Sequence, residues 1–156
     1  MIDMARSQYK DLLIINSDIE IENMPELRDD GITLFSRWDY SDLHQKVNAR
    51  MFIYGFDMFY IPKQFLKVFP QSLFALGAAW WDLAIPYHAI LKNIPIYYPI
   101  GKFCYHKIHK TQYSTDEWFF LGNHFKWFFK VENRFTVEQT ATNIMNIIRS
   151  KFRQGT

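Results

Sequence analysis

DLLIINSDIEIE, residues 11–22, joins two different patterns. Leu12 to Ile15 is a short, wholly apolar run bounded by polar residues. That reads as a buried β-strand rather than a helix, because helices need a longer periodic stretch. The run then meets Asn16-Ser17-Asp18, and apolar residues alternate with acids through Ile19-Glu20-Ile21-Glu22. A strand that ends on an amide, a hydroxyl and a carboxylate delivers polar chemistry to the end of a sheet. In α/β folds, ligands gather at the carboxyl ends of strands.

Working outward, Ile32 to Ser36 reads as a second strand and Arg37 to Asn48 as a polar loop. Glu22 to Asp30, with Pro25, reads as a loop or a short helical turn. Arg50 to Ile61 reads as one or two extended segments broken near Gly55, followed by a helical turn over Gln64–Val68. Ile94 to Ile100 and the start of Phe103–His109 are strand-like. Residues 3–9 suit a short helix. Ala78 to Asn93 reads as a helix that Pro86 kinks or confines to two pieces. Further helices are expected from Ser114-Thr115-Asp116, whose polar atoms can accept first-turn N–H groups, and from Thr136. Gln139 stands three residues after Thr136, a capping-box spacing. Val137, Thr140, Ile144, Ile147, Ile148 and Phe152 then recur at helical intervals. Strands alternating with helices predict the α/β class, in one domain spanning 1–156.

The 49% hydrophobic and 22% charged composition is that of a folding chain. A formal net charge of +2 and no basic run argue against nucleic acid as a partner. Cys104 is the one cysteine, so no internal disulfide can form, which fits a reducing compartment. MIDMARSQYK carries no signal-peptide core. The longest uncharged run, Val68 to Trp81, is too short to span a bilayer and holds Pro70 and Gly77. A soluble, cytoplasmic protein is expected. The aromatic run WFFLGNHFKWFF (118–129) leaves room for peripheral contact with a membrane surface.

Four features could carry chemistry: Asp18 after its strand, Asp57 in GFDMF, Asp82 in WWD at a helix start, and His106 with His109 in YHKIHK. Each has an ordinary structural explanation. An Asp after a strand commonly caps a turn, Asp57 can simply terminate a strand, and the macrodipole alone favours Asp82 at a helix N-terminus. Histidines three apart on a strand face opposite sides; they can share a metal only on a turn or a helix. Together they suit a hard divalent cation, Mg²⁺ or Mn²⁺, held by Asp18 with one of the histidines and by phosphate oxygens. No HExxH, GxSxG, P-loop or GxGxxG spacing is present.

The order of IINSDIEI (14–21), GITLFSRWDY (31–40), GFDMFYIPKQFL (55–66), FALGAAWWDLAI (74–85) and CYHKIHKTQY (104–113) resembles the later half of GT-A-type glycosyltransferases of the family 2-like nucleotide-sugar transferase kind. The resemblance covers residues 9–113 and leaves 114–156 as C-terminal helices. It implies a partial or reduced GT-A mixed sheet flanked by helices, acting on a nucleotide sugar and a saccharide acceptor. Carried over, Asp18 binds the cation on the donor diphosphate, and Asn16 and Arg37 flank the donor. His106 or His109 completes the Mn²⁺ or Mg²⁺ site, and Asp82 is the general base. Asp57, Trp80 and Trp81 contact substrate, and Tyr87 could also stack on a sugar; core packing explains these aromatics about as well. In place of the family's DxD stands Asp18-Ile19-Glu20, where a strand would put Glu20 on the face of Asp18. The strands that normally precede this element and bind the nucleoside have no counterpart here. The resemblance therefore also allows a non-catalytic GT-A-derived binding or interaction module, working as a homo-oligomer or with a partner chain.

Overall fold

A computed structural model describes residue 8 and residues 10–41, 43–70, 74, 78–109 and 114–155. The helix expected over residues 3–9 lies outside these, save residue 8. So do residues 42, 71–73, 75–77 and 110–113 of the stretches read above.

Among the described residues nine strands occur in chain order: β1 (Leu12–Ile15), β2 (Ile19–Ile21), β3 (Ile32–Phe35), β4 (Arg37–Tyr40), β5 (Arg50–Met51), β6 (Met58–Ile61), β7 (Ile96–Pro99), β8 (Cys104–Lys107) and β9 (Phe152–Gly155). The helices are α1 (Trp81–Leu91), α2 (Thr115–Phe128) and α3 (Val137–Ser150). Short 3₁₀ turns cover Leu43–Asn48 and Lys63–Val68. The class is α/β, with two mixed sheets and C-terminal helices.

The five-stranded sheet has the order β1-β6-β3-β7-β9, and the four-stranded sheet β2-β8-β4-β5. In the larger sheet, β6 is antiparallel to both β1 and β3, while β7 is parallel to β3 and β9 parallel to β7. Hence β1, β3, β7 and β9 point one way and only β6 points back. The carboxyl ends of β1 and β3 therefore meet the start of β6 along one rim. The chain passes from one sheet to the other at this rim. Ser36 alone separates β3 from β4, and Asn16-Ser17-Asp18 separates β1 from β2.

The core forms where the larger sheet meets the helices. Ile32, Leu34, Phe59 and Ile61 from the strands join Trp81, Phe125, Ile144 and Ile148 from the helices in one buried cluster. Helix α3 carries the capping box expected at Thr136 and Gln139, and it buries Val137, Thr140, Ile144 and Ile148. Ser114 caps α2 by accepting a hydrogen bond from the Glu117 N–H. Gly122 is where α2 comes closest to its neighbours. A Cβ there would sit 2.3 Å from Val137 Cγ1 and 2.7 Å from Trp80 Cζ2. Gly122→Ala is expected to destabilise the chain by about 2 kcal/mol despite alanine's better helix propensity, since overpacking costs about 1–3 kcal/mol. Urea denaturation checks this; an unchanged or raised midpoint would contradict it.

Four details depart from the sequence reading. Arg37–Tyr40, read as loop, is strand β4. It looked polar, but Arg37 and Asp39 pair with each other (2.8 Å), and β5 and β8 satisfy its backbone. Strand β1 lies at the sheet edge rather than buried on both faces, and Leu13 is 41% exposed. Ile147 is exposed. Phe152, read as the last helical position, begins β9 instead. Its ring stacks on Tyr98 (centroids 4.7 Å) and meets Phe56 edge-on, so packing overrides the helical period. Helix α1 runs on through Pro86, which does not divide it into two pieces. No described helix is long and apolar enough to cross a membrane.

Candidate functional site

The rim where the two sheets part is organised by one arginine. Arg37 opens β4, lies over the Phe52 ring (4.1 Å to the centroid), and holds two carboxylates with its fork. Its Nε donates to Asp39 Oδ1 (2.8 Å) and its Nη1 to Asp57 Oδ1 (3.0 Å). Asn16, at the end of β1, donates from Nδ2 to the same Asp57 oxygen (2.7 Å), and its backbone N–H meets the Asp57 carbonyl (3.0 Å). The ends of β1 and β3 and the start of β6 are thereby tied into one polar unit.

From this unit a chain of contacts runs to the histidines. His106 is buried on β8, and its Nδ1–H donates to Asp39 Oδ1 (2.9 Å). That bond fixes the ring and leaves Nε2 facing Asp18, 3.4 Å from Oδ2. Strand β8 stops at Lys107, so the backbone turns before His109. The turn is what lets histidines three apart come together: their ring centroids are 4.9 Å apart, and His109 Nε2 reaches Asp18 Oδ2 at 2.9 Å. One donor atom from each of Asp18, His106 and His109 lies within 4.8 Å of the others.

These atoms fit a divalent cation. Ligands about 2.1 Å from a metal and adjacent in its coordination shell stand about 3 Å apart, close to the two Asp18–histidine separations here. A cation would exchange with the His109–Asp18 hydrogen bond, and its remaining positions would face the cleft. Both histidines are in place, not one of them. Two imidazoles and a carboxylate suit Mn²⁺ better than Mg²⁺, which prefers oxygen. The same donor set also suits Zn²⁺ and Fe²⁺.

Asp39 holds His106 without touching the cation position. Asp39→Ala is expected to weaken Mn²⁺ binding about 10–100-fold, the usual cost of losing such an outer partner. Calorimetric titration measures it, and affinity equal to wild type would remove Asp39 from the site.

A cavity of about 560 Å³ opens beside the cluster, large enough for a sugar-sized ligand. Apart from Tyr87, the site residues singled out in the sequence line it: Asn16, Asp18, Arg37 and Asp57; Trp80, Trp81 and Asp82; His106 and His109. Asp82 stands in the first turn of α1, behind Trp80, which holds a left-handed backbone conformation (φ 72°). That conformation is unusual for so bulky a residue, and such strain concentrates at functional sites. Gly55 lies directly against Asp82; a Cβ there would sit 2.2 Å from Asp82 Oδ2.

Burial pushes the Asp82 carboxyl up to about 7. The Asp57 carboxylate adds to this, while the N–H groups of Phe56, Asp82 and Leu83 offset part of it. Burial also raises Asp57, over the opposing pull of Arg37 and Asn16. Asp57 is 4% exposed, and its Oδ2 meets no hydrogen-bond donor among the described residues. Asp18 behaves differently. Burial raises its carboxyl, but hydrogen bonds from His109 and its own backbone, with the two imidazoles, bring it below the ordinary range. Cys104 is no nucleophile: burial, then Asp57, pushes its thiol up to about 12.

Not every expected residue serves the cleft equally. Trp80 and Trp81 are 3% and 5% exposed, so most of their surface is packing. Trp80 Nε1 donates to the Trp118 carbonyl (2.9 Å), and Trp81 meets Phe59. Tyr87 packs on Phe125 and Phe129, away from the cavity, so it is a core residue and not a sugar platform. Glu20 turns from Asp18 to Lys46 (2.6 Å) and Tyr40, because Asp18 lies on the turn before β2 and not on the strand. The sequence reading missed Asp39, Tyr54, Gly55 and Arg149. The Tyr54 ring is 74% exposed and lines the cleft.

No protein-family model, curated protein or solved structure matches the chain.

Proposed function

We propose that this cleft is the site of a GT-A-type glycosyltransferase, transferring a sugar from a nucleotide-sugar donor to an acceptor hydroxyl. The observation that carries the reading is the meeting of two chemistries in one cavity. The Asp18–His106–His109 cluster suits a cation, and Asp82, with a carboxyl titrating near 7, lines the same cavity. The strand directions support it too, since four aligned strands interrupted by a reversed β6 put Asn16, Arg37 and Asp57 on one rim.

A bound cation would neutralise charge on the departing diphosphate. Asp82 would accept the proton of the acceptor hydroxyl, a role that works best when the base titrates near the working pH. Asp57, through its unpartnered Oδ2, would accept a hydrogen bond from a sugar hydroxyl. Arg37 keeps Asp57 and Asp39 in position by binding both. The exposed Tyr54 ring offers a face on which a sugar can stack, a better candidate than either buried tryptophan.

A second reading, a GT-A-derived module that binds without catalysis, has one observation in its favour. Strand β1 is outermost in its sheet, and an open edge can pair with another chain. Incubation of the chain with Mn²⁺ and a panel of UDP- and GDP-sugars separates the two. The transferase reading expects release of nucleoside diphosphate from at least one donor, abolished by EDTA. A folded protein that binds Mn²⁺ and releases none, with and without saccharide acceptors, would leave the binding module.

A further inference from the structure

Helix α3 does more than close the core. Thr142, Asn146 and Arg149 follow one another at one-turn spacing, and all three line the cleft. Arg149 lies in the last turn of α3, where the macrodipole favours a cation. Its position is fixed further by donation from Nη2 to the carbonyl of Ile53. It meets no carboxylate among the described residues, whereas Arg37, the other arginine of the cleft, is bound to two. A guanidinium has five N–H donors, so most of those on Arg149 remain for a ligand.

The loop joining β5 to β6 relates this cation to the proposed base. Ile53 holds Arg149, and Gly55 lies against Asp82. The two residues' Cα atoms are at most about 7 Å apart, the reach of two extended residues. Tyr54, between them, presents its exposed ring. Arg149, Tyr54 and Asp82 all line the one cavity.

We propose that the α3 end of the cleft is a subsite for a carboxylate-bearing saccharide, such as a uronic acid, with Arg149 binding the carboxylate. That this saccharide is the acceptor rests on the transferase reading; the subsite itself does not. A planar guanidinium pairs with a planar carboxylate through two parallel hydrogen bonds. One arginine, with Asp57 and Asp82 on the same cavity, suits a monoanion better than a phosphate dianion. Asn146 adds an amide for neighbouring hydroxyls.

The test uses the whole chain with neither metal nor nucleotide. Methyl glucuronide, methyl glucoside and glucose 6-phosphate are titrated against it by NMR. The expected result is methyl glucuronide binding about tenfold or more tighter than methyl glucoside, with Arg149→Gln abolishing the difference. Arg149→Lys keeps the charge but loses the fork, and an intermediate preference is expected. Should Arg149→Gln fail to fold, Arg149→Lys decides, and an undiminished preference there overturns the proposal. Equal binding of the two glycosides, binding of neither, or a preference that survives Arg149→Gln also overturns it. Tighter binding of glucose 6-phosphate would replace the carboxylate by a phosphate and overturn the assignment. Glucuronide preference without donor turnover discards only the transferase reading; donor turnover without glucuronide preference discards only the subsite.

Discussion

Asp82→Asn is expected to stop transfer and to stabilise the protein at once. Loss of a general base costs about 10²–10⁴ in rate, so kcat should fall at least a hundredfold. The wild-type kcat/KM should rise with pH through about 7 as Asp82 loses its proton, and the variant should lose that limb. The stability effect has a definite sign. The folded chain holds a proton on Asp82 up to about 7, whereas the unfolded chain releases it near 3.8. Between these values the folded state binds more protons, so this group's contribution to stability declines as pH rises. It is complete below about 4 and lost above about 7. Asparagine can still accept from the helix N–H groups but cannot ionise. The variant should match wild type near pH 4 and exceed it at pH 8 by up to about 4 kcal/mol. Urea denaturation at both pH values measures this. Equal stability at pH 8 would mean that Asp82 ionises without penalty, which removes the reason for assigning it the base.

Asp18→Ala is expected to have the larger effect on binding. Asp18 Oδ2 is the atom that both imidazoles approach, at 3.4 and 2.9 Å, so its loss leaves two neutral nitrogens and no anionic ligand. Mn²⁺ affinity should fall more than a hundredfold. In wild type, Mn²⁺ at a hundred times its Kd should add about 2.7 kcal/mol of stability. UDP or GDP should add more only when Mn²⁺ is present. Thermal denaturation of the variant should show neither increment. A nucleotide shift that persists in Asp18→Ala would place the diphosphate elsewhere.

Most of this site was legible in the sequence because its residues sit where strands and helices begin and end. Asn16 and Asp18 follow an apolar run, Asp57 precedes one, and Asp82 opens a helix. Local pattern identifies such positions without knowledge of the fold. Histidines three apart are ambiguous in sequence; the end of β8 at Lys107 decides that they converge. The polar strand Arg37–Tyr40 was hidden because its charges are satisfied by distant partners, Asp57 and His106, that no local window contains. Arg149 looks like any basic residue in a last helical turn, and only its contact with Ile53, 96 positions away, brings it to the cleft. Strand β9 was read as helix because Phe152 continued the period of α3, while Tyr98 and Phe56 determine where its ring goes.

The function of the cleft depends on whether Asp18, His106 and His109 hold one cation. Pulsed electron paramagnetic resonance of Mn²⁺ added to the folded chain tests this directly, because nitrogen bound to manganese leaves a ¹⁴N coupling in the spectrum. One Mn²⁺ per chain is predicted, coupled to two imidazole nitrogens, with one coupling lost in His106→Ala and one in His109→Ala. Mn²⁺ that stays fully hydrated, or that binds without nitrogen coupling, would contradict the account.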